Sequence, residues 1–259
     1  MWIGAALIAA SLPARAADDD QIVTDRPDFV ESSIAVGKGR FQLETSLAAE
    51  RDHSNGVRAR GVFTPTLLRY GLSDTVELRL ETDGWTRQHT SIDYPPASQR
   101  TSGMADSSLG VKWHVQDAAG AVPSMAVLVH ADLPSGAAEL RGHGVRPSLR
   151  LSAEWDLPDD FSIGVMPGVA SQTTDDGRRF TSAMLGVSLG KDWNARWHSF
   201  VEVAAPQIAR ARDGGTQAIL DFGAAYLVNK QCQVDTALTR GLNRRTADLG
   251  FTVGLSVKY

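Results

Sequence analysis

Cysteine is almost absent from this 259-residue chain: Cys232 stands alone, so no intramolecular disulfide can hold the fold. No apolar run reaches the roughly twenty residues that a membrane-crossing helix requires, and the mean hydropathy is −0.17. Basic charge is not in excess either. Lys and Arg number 26 against 30 Asp and Glu, a net charge of −4, which leaves no electrostatic footprint for nucleic acid. A helical 3.6-residue period is missing from every long window, so the chain is not a helical bundle. None of these absences excludes a membrane, because the strands of a transmembrane barrel turn half their residues toward a polar lumen.

What is present is alternation. In Leu249–Tyr259 the residues Leu249, Phe251, Val253, Leu255, Val257 and Tyr259 share one face, and Gly250, Thr252, Gly254, Ser256 and Lys258 share the other. Side chains of a strand alternate with period two, so this is a strand with one apolar and one polar face. About twelve such runs follow one another, near 40–52, 60–71, 74–86, 103–116, 121–133, 146–157, 160–172, 179–192, 195–206, 215–228, 231–242 and 246–259. Tight connections, such as Gly71–Asp74 and Leu157–Asp160, alternate with longer polar ones, including 52–60, 86–102 and 134–145. That rhythm predicts an all-β, antiparallel up-and-down transmembrane barrel with short periplasmic turns and longer extracellular loops. Phe41, Tyr70, Trp113, Trp155, Phe161, Trp193, Trp197, Tyr226 and Tyr259 lie near short turns or a terminus and predict a periplasmic aromatic girdle. Phe63, Trp85, Phe180 and Phe251 predict the weaker outer one. Pro65 and Pro167 fall inside strands, where the missing N–H predicts bulges.

The first residues read differently. A short apolar run, Pro13 and Ala14-Arg15-Ala16 before Asp18-Asp19-Asp20 predict a signal peptide over 1–16. Residues 17–39 then form an N-terminal periplasmic segment or plug, and 40–259 the barrel.

Several phrases resemble one family. Thr24-Asp-Arg-Pro-Asp-Phe-Val-Glu-Ser-Ser33, Leu68–Arg79, Gly103–Lys112, Asp132-Leu-Pro-Ser-Gly136, Arg146–Arg150, Phe200-Val-Glu202, Asp221–Tyr226 and Arg240–Asn243 are similar, in order, to motifs of an outer-membrane family. That family is described as "putative MetA-pathway of phenol degradation". The resemblance covers nearly the whole mature chain. It implies a barrel in the outer membrane of a Gram-negative bacterium, associated with uptake of small, often aromatic compounds.

With the apolar faces outward, the lumen receives Glu44, Arg69, Glu77, Arg79, Glu81, Lys112, His130, Asp132, Arg150, Glu154, Glu202, Asp221 and Asp235. An Arg or Lys facing lipid at the midplane costs about 2–4 kcal/mol, so the lumen is where these charges belong. They read either as a lining that steers a solute or as struts that brace the barrel. Asp25, Arg26, Pro27, Asp28 and Glu31 precede the first strand and predict a plug or gate that pairs with lumen Arg and Lys.

Catalysis is the competing reading, as a lipid hydrolase built on a barrel; a structural membrane protein without a solute path is another. Gly186-Val-Ser-Leu-Gly190 matches G-x-S-x-G, but the motif needs a strand–turn–helix elbow and no helix follows. The six histidines have no i, i+4 helical zinc spacing. No catalytic residue, metal or cofactor is assigned. The expected partners are outer-membrane lipid, a small-molecule solute, and the barrel-insertion machinery through the strand ending in Tyr259. The expected state is a monomer.

Overall fold

A computed structural model describes residues 21–54, 56–174 and 176–259. The signal peptide expected over 1–16 lies outside them, as do residues 17–20. The strands are β1 Phe41–Ser54, β2 Val57–Phe63, β3 Thr66–Gly71, β4 Val76–Thr82, β5 Trp85–Ile92, β6 Ala97–Met104, β7 Ser107–Gln116 and β8 Ser124–Leu133. Then follow β9 Arg146–Leu157, β10 Phe161–Thr173, β11 Arg179–Asp192, β12 Trp197–Ile208, β13 Gln217–Asn229, β14 Cys232–Gly241 and β15 Leu249–Lys258.

Three staves of the barrel are each interrupted once, between β2 and β3, β4 and β5, and β6 and β7. Fifteen strands therefore make a closed barrel of twelve staves. Every pairing is antiparallel, and β15 pairs with β1 from Gln42↔Lys258 to Arg51↔Leu249. The last residue completes the closure. The Tyr259 amide donates to the Phe41 carbonyl at 2.8 Å, and the Phe41 amide donates back at 3.2 Å. A closed ladder leaves no unpaired edge in lipid, which is why this topology is stable there.

The packing is inverted relative to a soluble protein. Among the buried residues are Gln42, Glu44, Arg69, Glu77, Lys112 and Glu202, while Leu47, Leu109, Val129, Val203 and Val253 are half or more exposed. The periplasmic girdle is as expected in part: Phe41, Tyr70, Trp113, Phe161, Trp193, Trp197 and Tyr259 are exposed. Trp197 and Tyr226 also pack against each other, with ring centroids 4.8 Å apart and planes inclined by 48°. The outer girdle is thinner than expected. Trp85 and Phe251 face outward. Phe63 pairs with Ala48, on the face of Glu44 and Ser46, and Phe180 shares a face with the buried Ser182 and Met184.

The loops expected at 52–60 and 86–102 are largely strand. β1 and β2 stay paired to Ser54↔Val57, β2 pairs with β5, and β5 pairs with β6 to Ile92↔Ala97, forming a four-stranded sheet at the long-loop end. The sequence hid it because this sheet carries polar side chains on both faces. It departs from the barrel along a line of three breaks, Thr64–Pro65, Asp83–Gly84 and Ala105–Asp106. The Thr64 hydroxyl accepts from the Trp85 amide at 2.7 Å, and the Ala105 amide donates to Gly84 O at 2.9 Å. Gly84 has φ +66°, and a Cβ there would lie 2.1 Å from Thr64 O, so no other residue fits. Pro65 thus ends a strand where a bulge was expected. At Pro167 there is no bulge: the ladder to β9 skips Met166 and Pro167, and the register is the same on both sides, Val165↔Ala153 and Gly168↔Arg150.

Candidate functional site

Residues 21–39 fold into the lumen from the short-turn end. The Ile22 amide bonds Lys230 O in the β13–β14 turn at 2.7 Å, and the Gly39 amide bonds Gly71 O at 2.8 Å, so the segment enters and leaves by the same mouth. Between these anchors it reaches the staves opposite. The Phe29 and Val30 amides donate to the two carboxylate oxygens of Glu202 at 2.9 and 2.8 Å. The Ser33 amide donates to Glu154 at 2.5 Å and the Val36 amide to Glu77 at 2.9 Å. The irregular backbone of the segment is thus satisfied by wall carboxylates, the kind of partner a buried N–H requires.

Its charged side chains close a network. Asp25 lies 2.5 Å from Arg79 Nη1, 2.6 Å from Lys112 Nζ and 3.4 Å from Arg69 Nη1. Glu31 bonds Arg79 Nη2 at 2.6 Å, pairs with Arg150, and accepts the Ser152 hydroxyl on its carbonyl. On the wall side Arg69 meets Glu44 at 3.0 Å and Glu77 at 2.8 Å, and Arg79 meets Glu77 at 2.9 Å. Four cations therefore face three wall carboxylates, Glu44, Glu77 and Glu81, and the segment supplies two more, Asp25 and Glu31. The wall is short of negative charge at this level until the segment is in place. Arg69 and Lys112 are fully buried, and such charges are tolerable only when paired and hydrogen-bonded.

The other expected lumen residues also face inward, on different partners. His130 lies 3.6 Å from Glu81, and its two ring nitrogens have no hydrogen-bond partner. Asp132 lies 3.8 Å from Arg146 near the long-loop end. Asp221 sits opposite Glu202 in register. Asp235 occupies the space that a Cβ on Gly254 would need, 2.4 Å from it. The small residues of β15 thus make room for neighbouring side chains. Of the plug residues, Arg26 donates to Ser46 Oγ at 3.2 Å, and Arg26, Pro27 and Asp28 line a cavity of about 330 Å³. That cavity lies between the segment and β10–β13, with Gly164, Ser188, His198 and Phe200 on its far wall.

The staves differ in chemistry. β1, β3, β4, β7 and β9 turn charge inward, whereas β10, β11 and β12 turn in mostly apolar side chains, Met166, Ala170, Met184, Phe200 and Ala204, all buried, with the buried carboxylate of Glu202 between Phe200 and Ala204. Leu67 and Leu128 add two fully buried apolar side chains to the charged side. This apolar strip was not singled out from sequence. The signal was there, since Met166 falls at an inward position of a cleanly alternating run.

A second unforeseen feature is a clasp at Asp106, at the break between β6 and β7. Its carboxylate accepts from the Gly136 amide at 2.8 Å, the Gly142 amide at 2.9 Å and Arg146 Nη2 at 3.0 Å. Burial pushes this carboxyl up, but the two amides and the guanidinium outweigh it and hold the group below the usual 3.8.

Ser188 of the G-x-S-x-G sequence is a buried residue in the middle of β11, without the elbow a nucleophile needs. His114 is engaged by Ser33 O and Asp117, away from His130, so the two do not combine with Asp132 into a triad. Among the described residues no cluster of His, Cys, Asp and Glu has the arrangement of a metal site.

A family model described as "Putative MetA-pathway of phenol degradation" matches residues 24–259. No curated protein matches the sequence. The fold is similar to the crystal structure of an outer membrane channel from Pseudomonas putida F1, with a TM-score of 0.67 at 11% identity, covering 90% of this chain and 99% of that one. It is also similar to the KdgM porin in complex with oligogalacturonate, at TM-score 0.52 and 8% identity, covering 85% and 99%. The β domain of the Bordetella autotransporter BrkA matches at TM-score 0.54 and 12% identity, again covering 85% and 99%.

Proposed function

The chain belongs to the family described as "Putative MetA-pathway of phenol degradation", and from that membership and its lumen we propose an outer-membrane channel for passive uptake of small hydrophobic or aromatic compounds. It resides in the outer membrane of a Gram-negative bacterium. The observation that carries the reading is the divided lumen, a largely apolar strip on β10–β12, interrupted by Glu202, facing a charged wall on β1, β3, β4 and β7. A small solute with an apolar ring and one polar group finds a partner for each part there, the usual composition of a ligand path.

Residues 21–33 act in this proposal as a gate. Glu44, Arg69, Glu77, Arg79, Lys112, His130, Asp132, Arg150, Glu154, Glu202, Asp221 and Asp235 form the path, and Asp25, Arg26, Pro27, Asp28 and Glu31 form the moving part. Support comes from the fully buried network, which fills the level of Arg69 and Lys112 while the segment is docked. Support also comes from its anchoring, which uses ion pairs, hydrogen bonds and the packing of Val30 and Phe29 on Gly164 and Gly186, all reversible without unfolding a stave. The barrel works as a monomer, and Tyr259 serves as a recognition mark for the machinery that inserts it.

Swelling of liposomes containing the protein tests the function. Phenol-sized aromatic solutes should swell them faster than sugars of similar mass; equal rates, or swelling by neither, would remove the proposal.

A further inference from the structure

The four-stranded sheet above the three breaks has two unlike faces. Register places Arg51 opposite Arg60, Arg60 opposite His89, and His89 opposite Arg100, an unbroken row of basic side chains across four strands. The next row toward the barrel adds Arg87, and the row toward the tip adds Arg58. These arginines are exposed. Glu50 and Asp52 alternate onto the opposite face, so no carboxylate interrupts the rows. Of the arginines on this face only Arg58 makes an ion pair among the described residues, with Asp93 beside the tip.

The face is the outer one. Arg51 shares it with Leu47, which is 60% exposed, and Arg87 shares it with Trp85 and, across the β5–β6 ladder, Met104. The basic rows thus stand directly above the lipid-facing apolar band, on its extracellular side, where lipid headgroups lie. Like charges directly opposite one another on a sheet destabilise it. A sheet that aligns them without internal carboxylates is complementary to an external anion. Cationic side chains just beyond an apolar band are also the arrangement that binds anionic headgroups.

We propose that this face, centred on Arg51, Arg60, Arg87 and Arg100, is a docking site for the phosphorylated headgroup of an outer-leaflet lipid of the lipid A class. The lipid's acyl chains lie along Leu47, Val62, Trp85 and Met104, and its phosphates sit on the arginine rows. The inference rests on the orientation of the barrel and is independent of what passes through the lumen.

The test titrates full-length protein in nonionic detergent with bis-phosphorylated lipid A, or with the same lipid after removal of both phosphates, and counts bound lipid by native mass spectrometry. The phosphorylated lipid should bind at least about tenfold more tightly than the dephosphorylated one, and high salt should weaken it. Combining Arg60→Gln, Arg87→Gln and Arg100→Gln should abolish that preference, while Arg210→Gln with Arg244→Gln, on other long loops, should leave it intact. If the triple variant does not fold, Arg87→Gln alone should lower the preference severalfold. Equal binding of the two lipids by the wild-type protein, or an unaltered preference in the folded variants, would overturn the proposal.

Discussion

A carboxylate in this barrel can be judged by what it accepts. Asp106 takes hydrogen bonds from two amides and a guanidinium, fastening the 134–145 loop to the break between β6 and β7. Its folded-state affinity for a proton is lower than in the unfolded chain, so its stabilising contribution is present above about pH 3.8 and is lost as pH falls through the folded value. Asp106→Asn should therefore cost the loop about 1–3 kcal/mol at neutral pH, because an amide nitrogen cannot accept what the second oxygen accepted. The readout is hydrogen exchange at the Gly136 and Gly142 amides. The variant should lose protection at pH 7, whereas the wild type should keep it there and lose it only in acid. Undiminished protection in the variant would mean that the clasp contributes nothing. This contact was hidden in the sequence, since Asp106 and Gly136 are thirty residues apart and Gly136 lies in a loop outside every alternating run.

The N-terminal segment is the element proposed as the gate. As it enters and leaves by one mouth, it can undock without threading through the barrel. Removing one partner of a buried ion pair costs about 3–5 kcal/mol, because the remaining charges stay buried without it. Asp25 serves three cations, so Asp25→Asn should undock the segment in a large fraction of molecules, and deletion of residues 21–33 should do so in all. Single-channel recording in planar bilayers should give higher conductance for the deletion, with the Asp25→Asn variant flickering between the two levels. Identical conductance in all three proteins would mean that residues 21–33 are not the gate. That Asp25 and Glu31 would meet lumen cations was legible from their charge and position. Which cations was not, because Arg69, Arg79, Lys112 and Arg150 meet only when staves far apart in sequence close on one axis.

For the whole molecule, closure is what sets stability. A ladder running from β1 round to β15 and fastened at Tyr259–Phe41 has no edge from which to unzip. Unheated protein in dodecyl sulfate should migrate faster on a gel than the boiled sample, since the closed barrel stays compact until heat breaks the ladder. Co-migration of the two would contradict a closed barrel. The twelve runs, their alternation and most of the periplasmic girdle could be read directly. Missing was most of the strand extensions β2, β5 and β6, whose side chains beyond Val62, Trp85 and Met104 are mostly polar on both faces and so carry no period-two hydrophobic signal. Phe63 and Phe180 were likewise assigned to the wrong face from their height alone.

The sequence by itself determined that the chain alternates, closes and faces lipid, because a strand's period of two and the cost of charge in hydrocarbon act locally, residue by residue. Only the tertiary structure decided what fills the lumen. The pairing of Asp25 and Glu31 with four cations, the apolar strip of Met166, Met184 and Ala204, and the arginine rows outside all arise from register between strands. Register is a relation between distant segments that no single run of residues contains.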